Sequence, residues 1–137
     1  MAKRTPILRW VSPRSPRRRR QRAAQTPLTS IEQASKDIIS ALIAGDDARV
    51  ASLAQQIHDS FILQQSMTPQ DKQDLKAAVP KEFVTRDQAF HQLSTDLAQV
   101  GRDGDREAQN ATFSQMIGAC TACHTRYATD RFPMLAK

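Results

Sequence analysis

Apolar residues recur at intervals of three and four along most of the chain beyond residue 27, which is the spacing of one face of an α-helix. Residues that favour helix ends divide this pattern into four segments, at about 30–44, 47–65, 80–100 and 105–129. No stretch alternates apolar and polar residues as a half-buried strand does. The pattern therefore predicts an all-α protein with an antiparallel four-helix bundle over residues 28–137.

The ends of these helices are predicted from capping residues. Thr29, with Glu32 three residues later, predicts a capping box for the first helix, and Gly45 predicts its C-terminal end. Asp46 and Asp105 are the predicted N-caps of the second and fourth helices. Because these signals are local, we expect them to hold in the folded chain.

The segment between the second and third helices contains a further helical signal. Thr68–Asp71 predicts a short extra turn of helix, and Pro80 opens the third long helix. Gly101 and Gly104 are expected to break the chain before the fourth. Each long helix carries an apolar stripe for the core. In chain order the stripes are Ile31, Ala34, Ile38, Ile39, Leu42 and Ile43; Val50, Leu53, Ala54, Ile57 and Phe61; Phe83, Phe90, Leu93 and Leu97; and Ala108, Thr112, Phe113, Met116, Ile117, Cys120, Cys123 and Tyr127.

Charge is distributed unevenly along the chain. Nine of the twenty Lys and Arg side chains lie in residues 1–22, which contain no acidic residue. Residues 23–137 hold the other eleven and all fourteen acidic side chains, a formal net charge of −3. The high sequence pI therefore reflects the first residues, and the helical part is mildly acidic.

Residues 1–27 are predicted to form a disordered, arginine-rich tail, since prolines interrupt them and Arg17–Arg20 form an unbroken charge run. The preferred interpretation is a misassigned start or a defective signal region, because no apolar segment follows the basic residues. The alternative is an arm that binds nucleic acid or an anionic membrane surface. No nucleic-acid-binding fold accompanies this arm, so we expect no nucleic-acid partner, and we expect no membrane span.

The chain has two cysteines, both in the pentapeptide Cys120-Thr121-Ala122-Cys123-His124. C-x-x-C-H is the attachment signature of c-type haem. Each thiol adds to one vinyl group of the porphyrin as a thioether, and the adjacent imidazole binds the iron. Cys120 and His124 share one face of a helix, with Cys123 beside them. The motif therefore predicts one covalent haem c, anchored by Cys120 and Cys123, with His124 as the axial iron ligand.

A redox-active cysteine pair and a zinc site are the alternative interpretations of this motif. A redox C-x-x-C favours a strand-to-helix context that the chain lacks. A zinc site would have to recruit His58 and His91, whose spacing matches no usual zinc-finger pattern. A metal-binding or structural helical domain without haem is therefore the less favoured prediction.

A C-x-x-C-H on the last helix of a four-helix bundle resembles the cytochrome c-prime family, over residues 28–130 of this chain. The resemblance implies haem thioethers at Cys120 and Cys123, a proximal ligand at His124, and an aromatic side chain at Tyr127. The family commonly has Arg or Lys at the next position, where this chain has Ala128, which weakens the case for proximal gas chemistry. Dimerisation is common in the family, so the resemblance permits a homodimer.

The same resemblance implies that the sixth iron position faces the first helix, which contains no methionine. The side chains expected over this distal face are apolar and do not bind iron: Ile31, Ile38 and Leu42. His58 and His91 are expected at the boundary or surface of the bundle, and each remains a candidate sixth ligand. Met116, on the haem helix, is expected to pack in the core.

The leading functional prediction is electron transfer by a c-type cytochrome rather than enzymatic catalysis, since no catalytic acid, base or nucleophile set is recognisable. The alternative is a five-coordinate haem protein that binds small gases such as NO or CO. Bacteria attach haem to this motif in an exported compartment, so we expect a periplasmic protein, although no valid signal peptide is visible. The sequence does not identify a redox partner.

Overall fold

The computed structural model describes residues 27–60 and 68–136, which contain five α-helices and no strand. The helices are α1 (Pro27–Ala44), α2 (Asp47–Asp59), α3 (Pro69–Ala78), α4 (Lys81–Asp103) and α5 (Arg106–Tyr127), followed by a 3-10 turn, Pro133–Leu135. The all-α prediction is confirmed. The long helices α1, α2, α4 and α5 pack antiparallel to their neighbours, and α3 lies in the connection between α2 and α4.

Several predicted caps are confirmed. The Asp46 carboxylate accepts a hydrogen bond from the Arg49 N–H at 3.0 Å, and Asp105 accepts one from the Ala108 N–H at 3.0 Å. Gly104 ends α4 in the left-handed conformation, with φ of 71°. Thr68 forms a capping box with Asp71, and the helix that follows has ten residues rather than the single turn predicted.

Other predicted ends are wrong. Thr29 is not an N-cap, because α1 begins at Pro27; proline suits a first helical turn, where its missing N–H would have no partner. The second helix ends at Asp59 instead of Gln65, since the Ser60 hydroxyl donates to the Ile57 carbonyl at 2.6 Å and closes the last turn. Of the predicted tail, residues 1–26 lie outside the described residues, as does Phe61.

The core lies between the four long helices and is made mainly of Ala and branched aliphatic side chains. Its buried members are Ala34, Ile38, Ala41, Val50, Ala54, Ile57, Leu97, Ala98, Phe113 and Met116. The core position predicted for Met116 is confirmed. The predicted stripes were too wide, however, because Ile39, Ile43 and Ile117 are exposed. On α1 the inward line passes through Ala34, Ile38 and Ala41, which turns Ile39 and Ile43 outwards.

The contact between α2 and α4 is the most extensive contact between the helices that the structure describes. Gly101 lies inside α4 rather than breaking it, and is buried against Ala51 of α2. A Cβ atom at Gly101 would lie 2.9 Å from the Ala51 backbone nitrogen and 3.0 Å from its Cα. The missing side chain is therefore what lets the two helices approach each other.

We expect Gly101→Ala to destabilise the protein by about 1–3 kcal/mol, because the backbone of Ala51 cannot rotate away from the added methyl group. Gly118→Ala is the matched control, since a Cβ there meets nothing within 4 Å. The control should stabilise helix α5 by about 0.5–1 kcal/mol. Denaturant unfolding of both variants measures the difference. Equal stabilities would contradict the packing argument.

Two histidines join α2 to α4 at the other end of this contact. His58 Nδ1 lies 3.3 Å from the His91 carbonyl oxygen and 3.0 Å from Thr95 Oγ1. His91 hydrogen-bonds in return to the backbone of Ile57, and its Nε2 lies 3.6 Å from Asp87 Oδ1. His58 is partly buried, as expected for the boundary, but the prediction for His91 is wrong, because it is buried between the helices.

The burial of His91 should make stability depend on pH. Burial, and then the charge of His58, lower the pKa of His91 from 6.5 to about 4. The unfolded chain therefore binds more protons than the folded one between these values, and the free energy of unfolding falls as pH drops. Between pH 7.5 and pH 4, the free energy of unfolding of His91→Gln should fall by about 1–2 kcal/mol less than that of wild type.

The measurement is denaturant unfolding of wild type and His91→Gln from pH 7.5 to pH 4. Carboxylate titrations common to both proteins cancel in the difference between the two curves. Parallel curves would show that His91 does not hold a neutral ring in the folded protein.

Candidate haem-attachment site

The predicted attachment residues lie together in the last two turns of α5. Cys120, Cys123 and His124 are all partly buried, and both cysteines are free thiols. The helix continues past the motif to Tyr127, and the Ala128 N–H closes it by donating to the His124 carbonyl at 3.0 Å. Regular helix through the motif places the two thiols and the imidazole on adjoining parts of one surface.

Both thiols are held in the protonated form at neutral pH. Burial and then the neighbouring Cys123 raise the pKa of Cys120, whereas burial and then the negative charge of Asp87 raise the pKa of Cys123. The motif also lies at the C-terminal end of its helix, where the helix dipole disfavours a thiolate. Redox-active cysteines need the opposite environment, so the geometry does not support that alternative.

The imidazole of His124 is uncharged at neutral pH, and its two ring nitrogens make no hydrogen bond to a described residue. Burial, and then the positive charge of Arg131, lower the pKa of His124. Its ring stacks on Phe132, with centroids 4.2 Å apart and an interplanar angle of 9°. Among the residues that the structure describes, none hydrogen-bonds to either ring nitrogen of His124. A neutral imidazole with a free nitrogen is the form that ligates a metal.

The first turns of α4 pack beside the motif. Tyr127 meets Phe83 edge to face, with centroids 5.4 Å apart, so the aromatic residue after the motif is part of this contact. Arg126 Nη2 lies 3.2 Å from Glu82 Oε2, which ties the end of α5 to the start of α4. These contacts hold the motif at the end of the bundle where α4 begins.

The start of α1 lies at the same end. After α5 the chain turns back, and Arg131 comes near enough to Glu32 to add to the effect of Lys36 in lowering the pKa of that carboxyl. Yet α1 packs on α2 far more closely than on α5. The edge of the bundle between α1 and the motif helix is therefore the loosely packed one.

A cavity of about 270 Å³ opens at this end of the bundle between α1 and α2. Its lining residues are Ile31, Ala34, Gln56, Ile57, Asp59 and Ser60. Of the three predicted distal side chains, Ile31 lines this cavity, Ile38 lies in the core, and Leu42 lies in the last turn of α1 towards the opposite end. Of the three, Ile31 alone lies towards the end of α1 at which the motif lies, and no residue of the motif lines this cavity.

The candidate sixth ligands already have partners in the protein. His58 contacts α4, and His91 contacts the backbone of α2, as described above. Asp87 lies close to both His91 and Cys123. Within residues 27–60 and 68–136, no three His, Cys, Asp or Glu side chains are grouped so as to hold a metal ion. The zinc alternative therefore gains no support from the described part of the chain.

Sequence reasoning missed Phe132 and the return of Arg131 to His124. Neither residue belongs to the motif, and both reach it only because residues 128–132 form a turn. Pro133, which begins the 3-10 turn, is the one local signal that the chain changes direction there.

The residues present fit a covalently attached haem. Two protonated thiols and an uncommitted imidazole have the spacing that thioether formation and axial ligation need. They also lie on a helix that packs only loosely against α1. No helix in the described residues is long and apolar enough to cross a membrane.

Comparison with known proteins agrees with this chemistry. The family model described as Cytochrome C' matches residues 22–128, which include all five helices and the whole motif. The match begins at residue 22, within the segment that is predicted to be a tail. No curated protein and no solved structure matches the chain. Since the family model spans most of the sequence, the chain belongs to the cytochrome c′ family of haem-binding c-type cytochromes.

Proposed function

We propose that this protein is a periplasmic electron carrier with one haem c, bound through Cys120 and Cys123, and with His124 as the axial iron ligand. The observation that carries the proposal is the geometry of the motif: two free thiols lie beside an imidazole on one helix, and no described residue hydrogen-bonds to that imidazole. The haem iron supplies one-electron redox chemistry when bound. The periplasmic location follows from where bacteria attach haem to this motif.

The chain's own residues would hold the group. In each thioether bond the cysteine sulfur would join one vinyl carbon and the thiol hydrogen would pass to the other, so no oxidant is needed. Cys120 and Cys123 would thereby anchor the porphyrin at two points, and His124 would hold the iron from the same helix.

Binding of a small gas such as NO or CO is the second candidate function. It is favoured by α1, which offers Ile31 and no methionine at the motif end, and by the partners that occupy His58 and His91. Both functions use the same site, and gas binding requires in addition that the sixth iron position is open. Ala128 in place of a basic residue disfavours gas chemistry on the His124 side.

Covalent attachment predicts that the absorption of the haem stays with the protein. We expect the chain, expressed with an export signal and haem-maturation machinery, to show a Soret band that survives acid-acetone extraction. Cys120→Ala/Cys123→Ala should lose the band on extraction, and reductive titration of the wild type should be reversible with one electron. Ser114→Ala, an exposed position on α5, is the control variant. No Soret band in wild type under these conditions would reject the haem proposal.

The sixth position is tested by adding CO to the reduced protein. We expect CO to shift the Soret band, because α1 contains no methionine or histidine and both His58 and His91 contact partners between α2 and α4. A low-spin reduced spectrum that CO leaves unchanged would reveal an internal ligand. In that case, His58→Ala and His91→Ala would identify which histidine binds, and gas binding would be rejected.

A further inference from the structure

The segment after α5 forms a turn that is fixed to the end of the motif helix. The Phe132 N–H donates to the Ala128 carbonyl at 2.9 Å, and the Arg131 N–H donates to the same oxygen at 3.1 Å. The Leu135 N–H then donates to the Phe132 carbonyl at 3.0 Å, which begins the 3-10 turn. Phe132 is therefore held on both sides by backbone hydrogen bonds.

This turn places the Phe132 ring face to face with the imidazole of His124, at 4.2 Å between centroids and 9° between planes. The Arg131 guanidinium lies 5.7 Å from the centre of the Phe132 ring, so a cation packs near the same aromatic group. A face-to-face stack covers the flat side of the imidazole and leaves its nitrogen atoms at the open edge. Stacking and metal ligation by His124 are therefore compatible.

A histidine that ligates a metal is usually oriented by a hydrogen bond from its second ring nitrogen to a carboxylate or carbonyl group. Among residues 27–60 and 68–136, the structure shows no such bond for His124. The contact that restricts rotation of its ring is the Phe132 stack. A stacked aromatic pair favours the state in which it forms by a factor of about 2–10, beyond the effect of the area that it buries.

We propose that Phe132 is a positioning residue that sets the plane of the His124 imidazole at the iron. This inference rests on the proposed function, in which His124 is the axial ligand. Phe132 acts through His124 and does not itself bind iron. Without the Phe132 ring, the imidazole of His124 would adopt several orientations. The iron would then be bound in more than one geometry.

The test compares holoprotein variants by electron paramagnetic resonance of the oxidised iron and by midpoint potential. Phe132→Leu keeps an apolar side chain but removes the ring, and we expect it to broaden or split the iron signal and to shift the potential. Phe132→Tyr keeps the ring and should match wild type. Phe83→Leu is the control, because it removes an aromatic contact at the same end without touching His124.

The inference is overturned if Phe132→Leu gives the wild-type signal and potential, or if Phe83→Leu changes both as strongly. If Phe132→Leu yields no holoprotein, Phe132→Met is measured in the same way and judged by the same result. Failure of the proposed function is separate, since it appears as wild-type protein without covalent haem. Wild type with haem and an unaltered Phe132→Leu signal would reject the role of Phe132 alone.

Discussion

The close contact between α2 and α4 is the constraint on which the rest of the bundle depends. Gly101 lies against the backbone of Ala51. Ala54 and Ala98 are buried in the core, and their small side chains let the helices lie close together. The contact joins the α1–α2 hairpin to the α4–α5 hairpin along one edge. The opposite edge, between α1 and α5, is loosely packed, and α5 is the helix that carries the C-x-x-C-H motif.

The two ends of the bundle differ chemically, and the difference supports the site. At the end with the tight turns, buried Gln109 donates to Asp47 at 3.0 Å, and Arg106 Nε lies 3.4 Å from the same carboxylate. These contacts set the register of α5 against α2. At the other end, aromatic rings and partly buried thiols lie beside the Arg126–Glu82 ion pair, and these apolar groups suit a large apolar cofactor.

Membership of the cytochrome c′ family and the geometry of the site support each other, yet this chain has its own features around His124. The family's usual basic residue after Tyr127 is replaced by Ala128, whose carbonyl anchors the turn that follows. Through that turn Arg131 returns close enough to His124 to lower its pKa, after burial. The proximal side is thus built by residues beyond the motif as well as by the motif helix.

The sequence by itself determined the helical class, the caps at Asp46 and Asp105, and the candidate anchors Cys120, Cys123 and His124. These features depend on residues within one helical turn of each other, so their spacing along the chain carries the information. The burial of His91, the continuation of α4 through Gly101 and the stack of Phe132 on His124 were decided by the tertiary structure alone. Each depends on a partner brought close by helix packing or by a turn, and periodicity in a single segment contains no record of that partner.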